Sequence, residues 1–153
     1  MNPLQKWIWK AFTGFHVFLY RISGGRFGSQ MRGFGVLLLT TTGRKTGKRR
    51  TMPLGYIRDG DSYVVIASNG GLDRHPAWYF NLQQNPNVQI QVRERTLDVK
   101  AETAQGDHRQ RLWSQVLAEA PGYADYQTRT TREIPLVILM PEGVQAVTGA
   151  STA

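Results

Sequence analysis

The chain has 153 residues, no cysteine and a formal net charge of +8, with a pI near 10.2. This length fits one domain, and the composition excludes disulfides, thiolate metal sites and a cysteine nucleophile, while three scattered histidines make metal catalysis unexpected. The positive charge indicates an anionic partner, namely nucleic acid, an acidic membrane surface or a polyanionic small molecule.

The first predicted element is an amphipathic helix over residues 3–20 with an aromatic stripe. Asn2 is a suitable cap and Pro3 a typical first helical residue. Lys6 and Lys10 interrupt the stripe, which argues against a transmembrane span and against a cleaved signal peptide. Two interpretations stay open: the helix docks on the domain core, or it lies in a membrane interface, where Trp and Lys are favoured.

From residue 35 onward the pattern is that of an antiparallel sheet. Residues 36–40 form a near-continuous apolar run, which predicts a strand buried on both faces. Asp59-Gly60 between two apolar runs is a strong hairpin signal. Further strands are predicted over 51–58, 62–68, 88–92, 97–101 and 134–140, and helices over 75–82 and 107–120. The sequence therefore predicts a mainly β (α+β) domain, a small barrel with two or three short helices.

Three segments are expected along the chain. Residues 1–30 hold the amphipathic helix and a connection that is glycine-rich over 24–28. Residues 31–142 form the barrel. The Gly, Ala, Ser and Thr of residues 143–153 predict a flexible tail.

A glycine-punctuated loop follows the first long strand, and five of the seven residues from Arg44 to Arg50 are basic. A buried strand that delivers such a cluster to the surface places fixed positive charge beside exposed backbone N–H groups. That combination binds phosphates and carboxylates. The alternative is a solvated basic turn that binds nothing.

Several motifs in one order and spacing resemble the deazaflavin-dependent nitroreductase family. The similarity spans roughly residues 35–141 and rests on segments 38–47, 52–54, 65–71, 75–82, 85–88, 123–127 and 134–137. The resemblance implies a split β-barrel related to proteins that bind flavin mononucleotide (FMN). It also implies coenzyme F-420, an 8-hydroxy-5-deazaflavin with a phosphodiester and a glutamate tail, as the hydride carrier.

The resemblance also implies a set of cofactor-binding residues. The phosphate and tail carboxylates would be held by Arg44, Lys45, Thr46 and Arg50, with Lys48 and Arg49 adding long-range attraction. The deazaflavin ring would meet the backbone of Met52 and Pro53, and Ser68 and Asn69 where a strand ends in Gly70-Gly71. The short helix would contribute Trp78, Tyr79 and Asn81, although ordinary core packing is the alternative for the two aromatic residues.

Tyr123 and Tyr126 are the predicted catalytic residues, Tyr123 also contacting the cofactor. They would form a wall over the ring and substrate, and one hydroxyl would hydrogen-bond the acceptor oxygen. The chain departs from the family's nitroreductase at Gly55 and Ala120, where tyrosines are expected, and at Asn69, often lysine. Fewer aromatic side chains should leave a more open pocket and put nitroimidazole reduction in doubt.

The expected reaction is hydride transfer from reduced F-420 to a small electron-poor acceptor: an activated alkene, a quinone or a nitro compound. The protein is expected in the cytoplasm, as a monomer or homodimer, with peripheral contact to the inner membrane face if residues 3–20 bind lipid. Alternatives are a split barrel that binds FMN or haem, a lipid-binding module, and a nucleic-acid-binding module. Nucleic acid is not expected, because the cations cluster on one loop away from the aromatic residues.

Overall fold

The computed structural model describes residues 2–22, 30–31 and 34–142. The predicted connection at 24–28 and the predicted tail at 143–153 lie outside the described residues. The elements in chain order are α1 (Pro3–Ile22), β1 (Gln30–Met31), β2 (Phe34–Thr42), β3 (Arg49–Asp59), β4 (Ser62–Ile66), a 3-10 turn (Asn69–Gly71), α2 (Ala77–Gln84), β5 (Asn87–Val92), β6 (Arg95–Thr103), α3 (Gly106–Glu119), α4 (Tyr123–Thr128) and β7 (Leu136–Pro141).

The strands pair antiparallel in the order β1-β2-β3-β4-β7-β6-β5. The sheet closes on itself because β2 pairs with β3 on one side and with β5 on the other. In this register Leu39 lies opposite Met52 of β3 and Ile90 of β5. Six strands thus form a barrel, with β1 as a short extension, and the expected mainly β architecture is confirmed.

The barrel interior is filled by alternate residues of its strands. Leu37 and Leu39 of β2 pack there with Val65, Ile90 and Val137. Val36 and Leu38 point to the other face of β2 and are each only 1% exposed, so the predicted burial of 36–40 on both faces is confirmed. Helix α2 closes one end of the barrel and adds Trp78, Tyr79 and Leu82 to this core.

A second apolar cluster lies outside the barrel. It joins Ile57, Val64, Ile66, Leu136 and Ile138 of the strands to helix α3. Leu112 and Val116 of α3 are four residues apart and fully buried, as one apolar face of a helix requires. Tyr123 and Tyr126 of α4 pack against the edge of this cluster.

Helix α1 touches the barrel mainly through its last turn. Tyr20 is fully buried, and its hydroxyl accepts the backbone N–H of Arg93 at 2.6 Å. Arg21 donates to the Thr51 hydroxyl at 3.1 Å. The large apolar side chains before this turn are 53–68% exposed, namely Leu4, Trp7, Ile8, Trp9, Phe12, Phe15 and Phe18. The docked interpretation therefore holds for the last turn of the described helix. None of the described helices is long and apolar enough to cross a membrane.

Several predicted boundaries are wrong by two residues. The strand predicted over 62–68 ends at Ile66, because the chain turns sharply through Asn69, Gly70 and Gly71, all with positive φ. The helix predicted over 75–82 spans 77–84, since Pro76 keeps extended backbone. Strand β3 begins at residue 49, so Arg49 and Arg50 are its first two residues and form the strand end of the basic loop, residues 44–50.

Candidate active site

The basic loop between β2 and β3 is closed by its own backbone. The N–H of Gly43 donates to the carbonyl of Lys48 at 2.7 Å, and the N–H of Gly47 donates to the carbonyl of Gly43 at 2.8 Å. A Cβ on Gly43 would lie 2.8 Å from the Thr46 hydroxyl oxygen and 3.1 Å from the Lys48 carbonyl oxygen, so a larger residue there would force the closure to shift. These bonds fix the loop backbone, and with it the positions from which the cationic side chains extend.

Asn81 of α2 fastens this loop to the barrel end. Its side-chain oxygen accepts the N–H of Arg44 at 3.1 Å, and its amide nitrogen donates to the Thr41 hydroxyl at 3.1 Å. The residue is 5% exposed. The Arg44 guanidinium lies 4.8 Å from the Phe80 ring centroid, a second contact between loop and helix. The structure therefore places Asn81 beneath the loop, with its polar groups already bonded to protein.

The positive charge of the loop is not compensated locally. Arg44 is half-buried, and Lys45, Lys48, Arg49 and Arg50 are exposed. Arg49 donates to the Gln89 side chain at 3.1 Å. Across the described ranges the ion pairs use Asp59 and Glu133, so none of these five cations is paired with a carboxylate. The loop keeps its charge available for an anion from outside.

Thr46 keeps a hydroxyl hydrogen for a ligand. Its oxygen accepts the N–H of Lys48 at 3.2 Å within the loop. A hydroxyl that accepts one hydrogen bond can still donate its own.

Strand β3 offers backbone beside the loop. Met52 and Leu54 turn their side chains toward the barrel core, so alternation along the strand places Pro53 and Gly55 on the outer face. Both Met52 and Pro53 are half-buried. At residue 53 the strand lacks an N–H donor. The geometry agrees with the expectation that this segment presents main chain rather than polar side chains.

Ser68, Asn69 and the two tyrosines come from segments that pack together. Helix α4 lies against the 3-10 turn, where a Cβ on Gly71 would be 2.8 Å from the carbonyl oxygen of Tyr126. Tyr123 and Tyr126 meet edge to face at 5.6 Å. The Asn69 amide donates to the Arg74 carbonyl at 2.8 Å, so part of its side chain holds the turn itself.

Trp78 and Tyr79 lie inside the barrel end. They are 6% and 5% exposed and belong to the interior cluster. The Tyr79 hydroxyl is 3.0 Å from the Thr103 hydroxyl. Of the two interpretations for these aromatic residues, the geometry favours core packing, and the structure does not bring them to the exposed side of the loop.

Sequence reasoning missed Arg132, which lies just before β7. Its guanidinium donates to the carbonyls of Ala67, Ser68 and Leu72 and lies 3.0 Å from Nδ1 of His75. Burial and the nearby guanidinium hold the pKa of His75 below its ordinary value, which keeps this ring neutral and able to accept. No local pattern could reveal Arg132, because these partners are 57–65 residues away in the chain.

The described residues form a closed barrel with an uncompensated cationic loop at one end and two tyrosines beside a neighbouring turn, an arrangement suited to an anionic ligand. Comparison with known proteins agrees. Residues 13–141 match the family model described as F420H(2)-dependent quinone reductase. The chain belongs to this family. It is therefore an F-420-dependent reductase, and the expected enzyme class and cofactor are confirmed.

Individual relatives support the same assignment. An F420H(2)-dependent quinone reductase of Mycobacterium tuberculosis is 45% identical over 129 residues, which cover 81% of this chain and 86% of the relative. A solved F420-H2-dependent reductase is 40% identical, with a TM-score of 0.64. The match covers 71% of this chain and 94% of the reductase chain. A second structure, described as a domain-swapped dimer, is 34% identical, with a TM-score of 0.66. The match covers 90% of this chain and 99% of that chain. The split-barrel fold is thereby confirmed.

The residues present fit coenzyme F-420. Guanidinium and ammonium groups match a phosphodiester and several carboxylates in charge and in donor geometry. The loop that carries them is already ordered by Asn81 and by its own backbone bonds.

Proposed function

We propose that this protein transfers a hydride from reduced coenzyme F-420 to a quinone, and that the loop of residues 44–50 holds the anionic end of the cofactor. The uncompensated charge of that loop, fixed on the barrel end by Asn81, is the observation that carries the proposal. Family membership supports the quinone as acceptor. Activated alkenes and nitro compounds are electron-poor acceptors of the same kind and are further candidate substrates.

In this proposal the loop residues divide the anionic groups of the cofactor between them. Arg44 and Arg50 supply planar forks for phosphate or carboxylate oxygens, and Lys45 supplies a mobile point charge. The Thr46 hydroxyl donates the hydrogen that its contact with Lys48 leaves available. Lys48 and Arg49 raise the local positive potential and draw the cofactor in.

The ring would lie against the outer face of β3, near the backbone of Met52 and Pro53. Ser68 and Asn69 would line its edge, because both residues are half-buried and the 3-10 turn that begins at Asn69 packs against α4. When bound, the reduced cofactor supplies the hydride. The protein contributes the placement of the acceptor and the exclusion of water from the reacting atoms.

Tyr126 and Tyr123 are the proposed catalytic residues. A quinone that receives a hydride becomes a quinol after one oxygen gains a proton. A tyrosine hydroxyl can donate a hydrogen bond to the oxygen on which negative charge develops, and solvent can deliver the final proton. Both rings are half-buried at the edge of the outer cluster, which leaves room for contact with a substrate.

A fluorescence titration with oxidised F-420, run beside FMN, tests the cofactor site. Arg44 and Lys45 are changed together to Ala, and Arg95 and Lys100, exposed cations of β6, are changed together as the control. Both double variants lose the same charge. Weaker F-420 binding in the loop variant alone supports the proposal. Equal weakening in both variants would mean that the overall positive charge attracts F-420 and that the loop makes no specific contact. Tighter binding of FMN than of F-420 contradicts the proposed ligand.

We further propose that α1 lies on an anionic membrane surface at the cytoplasmic face, close to a lipid-soluble quinone. Seven large apolar side chains between Leu4 and Phe18 are exposed, while Lys6 and Lys10 lie on the same helix and the protein carries +8 net charge. Apolar burial and attraction to anionic lipid together favour such binding.

Cosedimentation with vesicles tests this contact. The wild-type protein should pellet with vesicles rich in phosphatidylglycerol, and changing Trp7 and Phe12 to Ser should reduce the bound fraction. Changing Gln83 and Gln84, exposed residues of α2, to Ser is the control. A concentration-dependent dimer that buries α1, with no vesicle binding, would instead assign the stripe to a second copy of the chain.

A further inference from the structure

Arg132 donates to three main-chain carbonyls through its guanidinium. Its side chain is half-buried and extends into the segment that joins β4 to α2. Nε donates to the Leu72 carbonyl at 2.8 Å, Nη1 to the Ala67 carbonyl at 3.2 Å, and Nη2 to the Ser68 carbonyl at 2.7 Å. The chain therefore wraps around one guanidinium from the end of β4 to the far side of the 3-10 turn.

His75 completes this arrangement. Nη1 of Arg132 lies 3.0 Å from Nδ1 of His75. An arginine has only donors, so the neutral ring must accept through Nδ1. The His75 ring also packs on Phe80 at 5.6 Å, and Phe80 carries the Arg44 guanidinium on its ring. One continuous set of contacts thus runs from Arg132 through α2 to the basic loop.

The geometry is specific to arginine. The three guanidinium nitrogens lie in one plane, point in different directions and contact three carbonyls and one imidazole. A lysine carries all its donors on a single nitrogen and cannot reproduce this pattern. Its shortest contacts are to main-chain carbonyls, so the guanidinium fixes backbone conformation at the turn. The same turn carries Ser68 and Asn69 and packs against the helix of Tyr123 and Tyr126.

We propose that Arg132 is a positioning residue of the cofactor site. It holds the 3-10 turn in the conformation that receives the cofactor ring, and through His75 and Phe80 it aligns α2 beneath the basic loop. Arg132 acts through these segments and does not itself touch the cofactor. This inference rests on the proposed function, in which that turn and that loop bind F-420.

Three variants test the role: Arg132→Met removes every donor, Arg132→Lys keeps the charge, and Arg111→Met is the control. Arg111 is an exposed arginine of α3 that pairs with Asp59. The first readout is amide hydrogen exchange in the cofactor-free protein, followed at Gly71 and Leu72, whose N–H groups are bonded within the turn. The second is the dissociation constant of F-420 together with kcat and KM for reduced F-420.

Arg132→Met should speed exchange at Gly71 and Leu72 by about tenfold or more, because several charge-assisted hydrogen bonds are lost, and leave the β5 and β6 amides unchanged. The dissociation constant and KM for F-420 should rise by a similar factor, with a smaller change in kcat. Arg132→Lys should recover only part of both effects, and Arg111→Met should show neither.

Two results would overturn the inference. One is unchanged exchange at the turn in Arg132→Met. The other is a loosened turn with wild-type affinity for F-420, which would make Arg132 structural only. If the wild-type protein fails to bind F-420, the proposed function falls, and the exchange data still decide whether Arg132 orders the turn.

Discussion

The side-chain oxygen of Asn81 accepts the backbone N–H of Arg44 at 3.1 Å. This bond joins a helix of the barrel core to the first cation of the basic loop. The other half of the same amide donates to Thr41 at the end of β2, so one buried side chain fixes both the start of the loop and the strand that leads into it.

Asn81→Ala should therefore weaken cofactor binding indirectly, by loosening the basic loop. The change leaves the Arg44 N–H and the Thr41 hydroxyl without their partner, and we expect the free energy of unfolding to fall by about 1–3 kcal/mol. F-420 affinity should fall as well. Urea denaturation and F-420 titration check both effects, with Gln83→Ala on the exposed side of α2 as the control. Wild-type affinity in a destabilised variant would show that the loop orders itself.

Gly71→Ala should disturb α4, whereas Gly70→Ala should not. Both glycines have positive φ, so alanine is strained at either position. Only at residue 71 would the new Cβ meet a neighbour, the Tyr126 carbonyl at 2.8 Å. Turnover with F-420 and a soluble quinone should thus fall much further in Gly71→Ala at matched thermal stability. Equal losses in the two variants would mean that backbone strain alone matters.

Tyr126→Phe should lower kcat and leave F-420 affinity near the wild-type value. The substitution removes the hydroxyl proposed to donate to the acceptor oxygen while keeping the ring in its edge-to-face contact with Tyr123. We expect a reduction of about tenfold to a hundredfold if that donor acts in the transition state. Steady-state kinetics of Tyr126→Phe and Tyr123→Phe, measured side by side, identify which hydroxyl serves. Wild-type kcat in both would remove the tyrosines from catalysis.

Stability should decline as the pH falls below about 6.5, and His75 should account for part of this decline. Burial, and then the Arg132 guanidinium, hold the pKa of folded His75 below its ordinary 6.5. At a pH between the folded pKa and 6.5, His75 binds more protons in the unfolded chain than in the folded protein. The stabilisation is therefore complete above pH 6.5 and lost as the pH falls through the folded pKa. In His75→Gln a non-titrating oxygen can accept from Arg132, so urea denaturation should show a flatter pH profile. An identical slope in both proteins would contradict this role of His75.

Tyr20→Phe should loosen the attachment of α1. The variant removes the hydroxyl that accepts the Arg93 N–H at 2.6 Å and leaves that donor unsatisfied. A loss of about 1–2 kcal/mol in the free energy of unfolding is expected. Proteolysis after Arg21 should become faster, with Phe18→Leu, a change at an exposed position of the same helix, as the control. An unchanged rate of proteolysis would show that contacts other than the Tyr20–Arg93 hydrogen bond attach α1 to the barrel.

The apolar patterning predicts the barrel well because burial and alternation are local signals. Residues 36–39 are apolar and are buried on both faces of the strand. The Asp59-Gly60 turn closes the expected hairpin between β3 and β4. Boundary errors occur where backbone conformation overrides apolar character, as at Ala67 and Ser68, which look like strand but lead into a turn with positive φ.

The site is less visible in the sequence, because its organisation depends on contacts between distant residues. The basic loop is evident from its charge, but Asn81 beneath it is 37 residues from Arg44, and Arg132 lies 64 residues from Ser68. For Trp78 and Tyr79, helical spacing cannot distinguish a ligand-facing aromatic residue from one that fills the barrel end. Only the closed barrel shows which side of α2 faces the core.

Helix α2 contacts the barrel core with one face and the basic loop with the other. Trp78 and Leu82 complete the barrel core, while Asn81 and Phe80 hold the loop that carries Arg44. Formation of the core therefore also immobilises the anion-binding groups. Their loss of conformational entropy occurs during folding and not when a ligand arrives, so more of the electrostatic attraction remains as affinity.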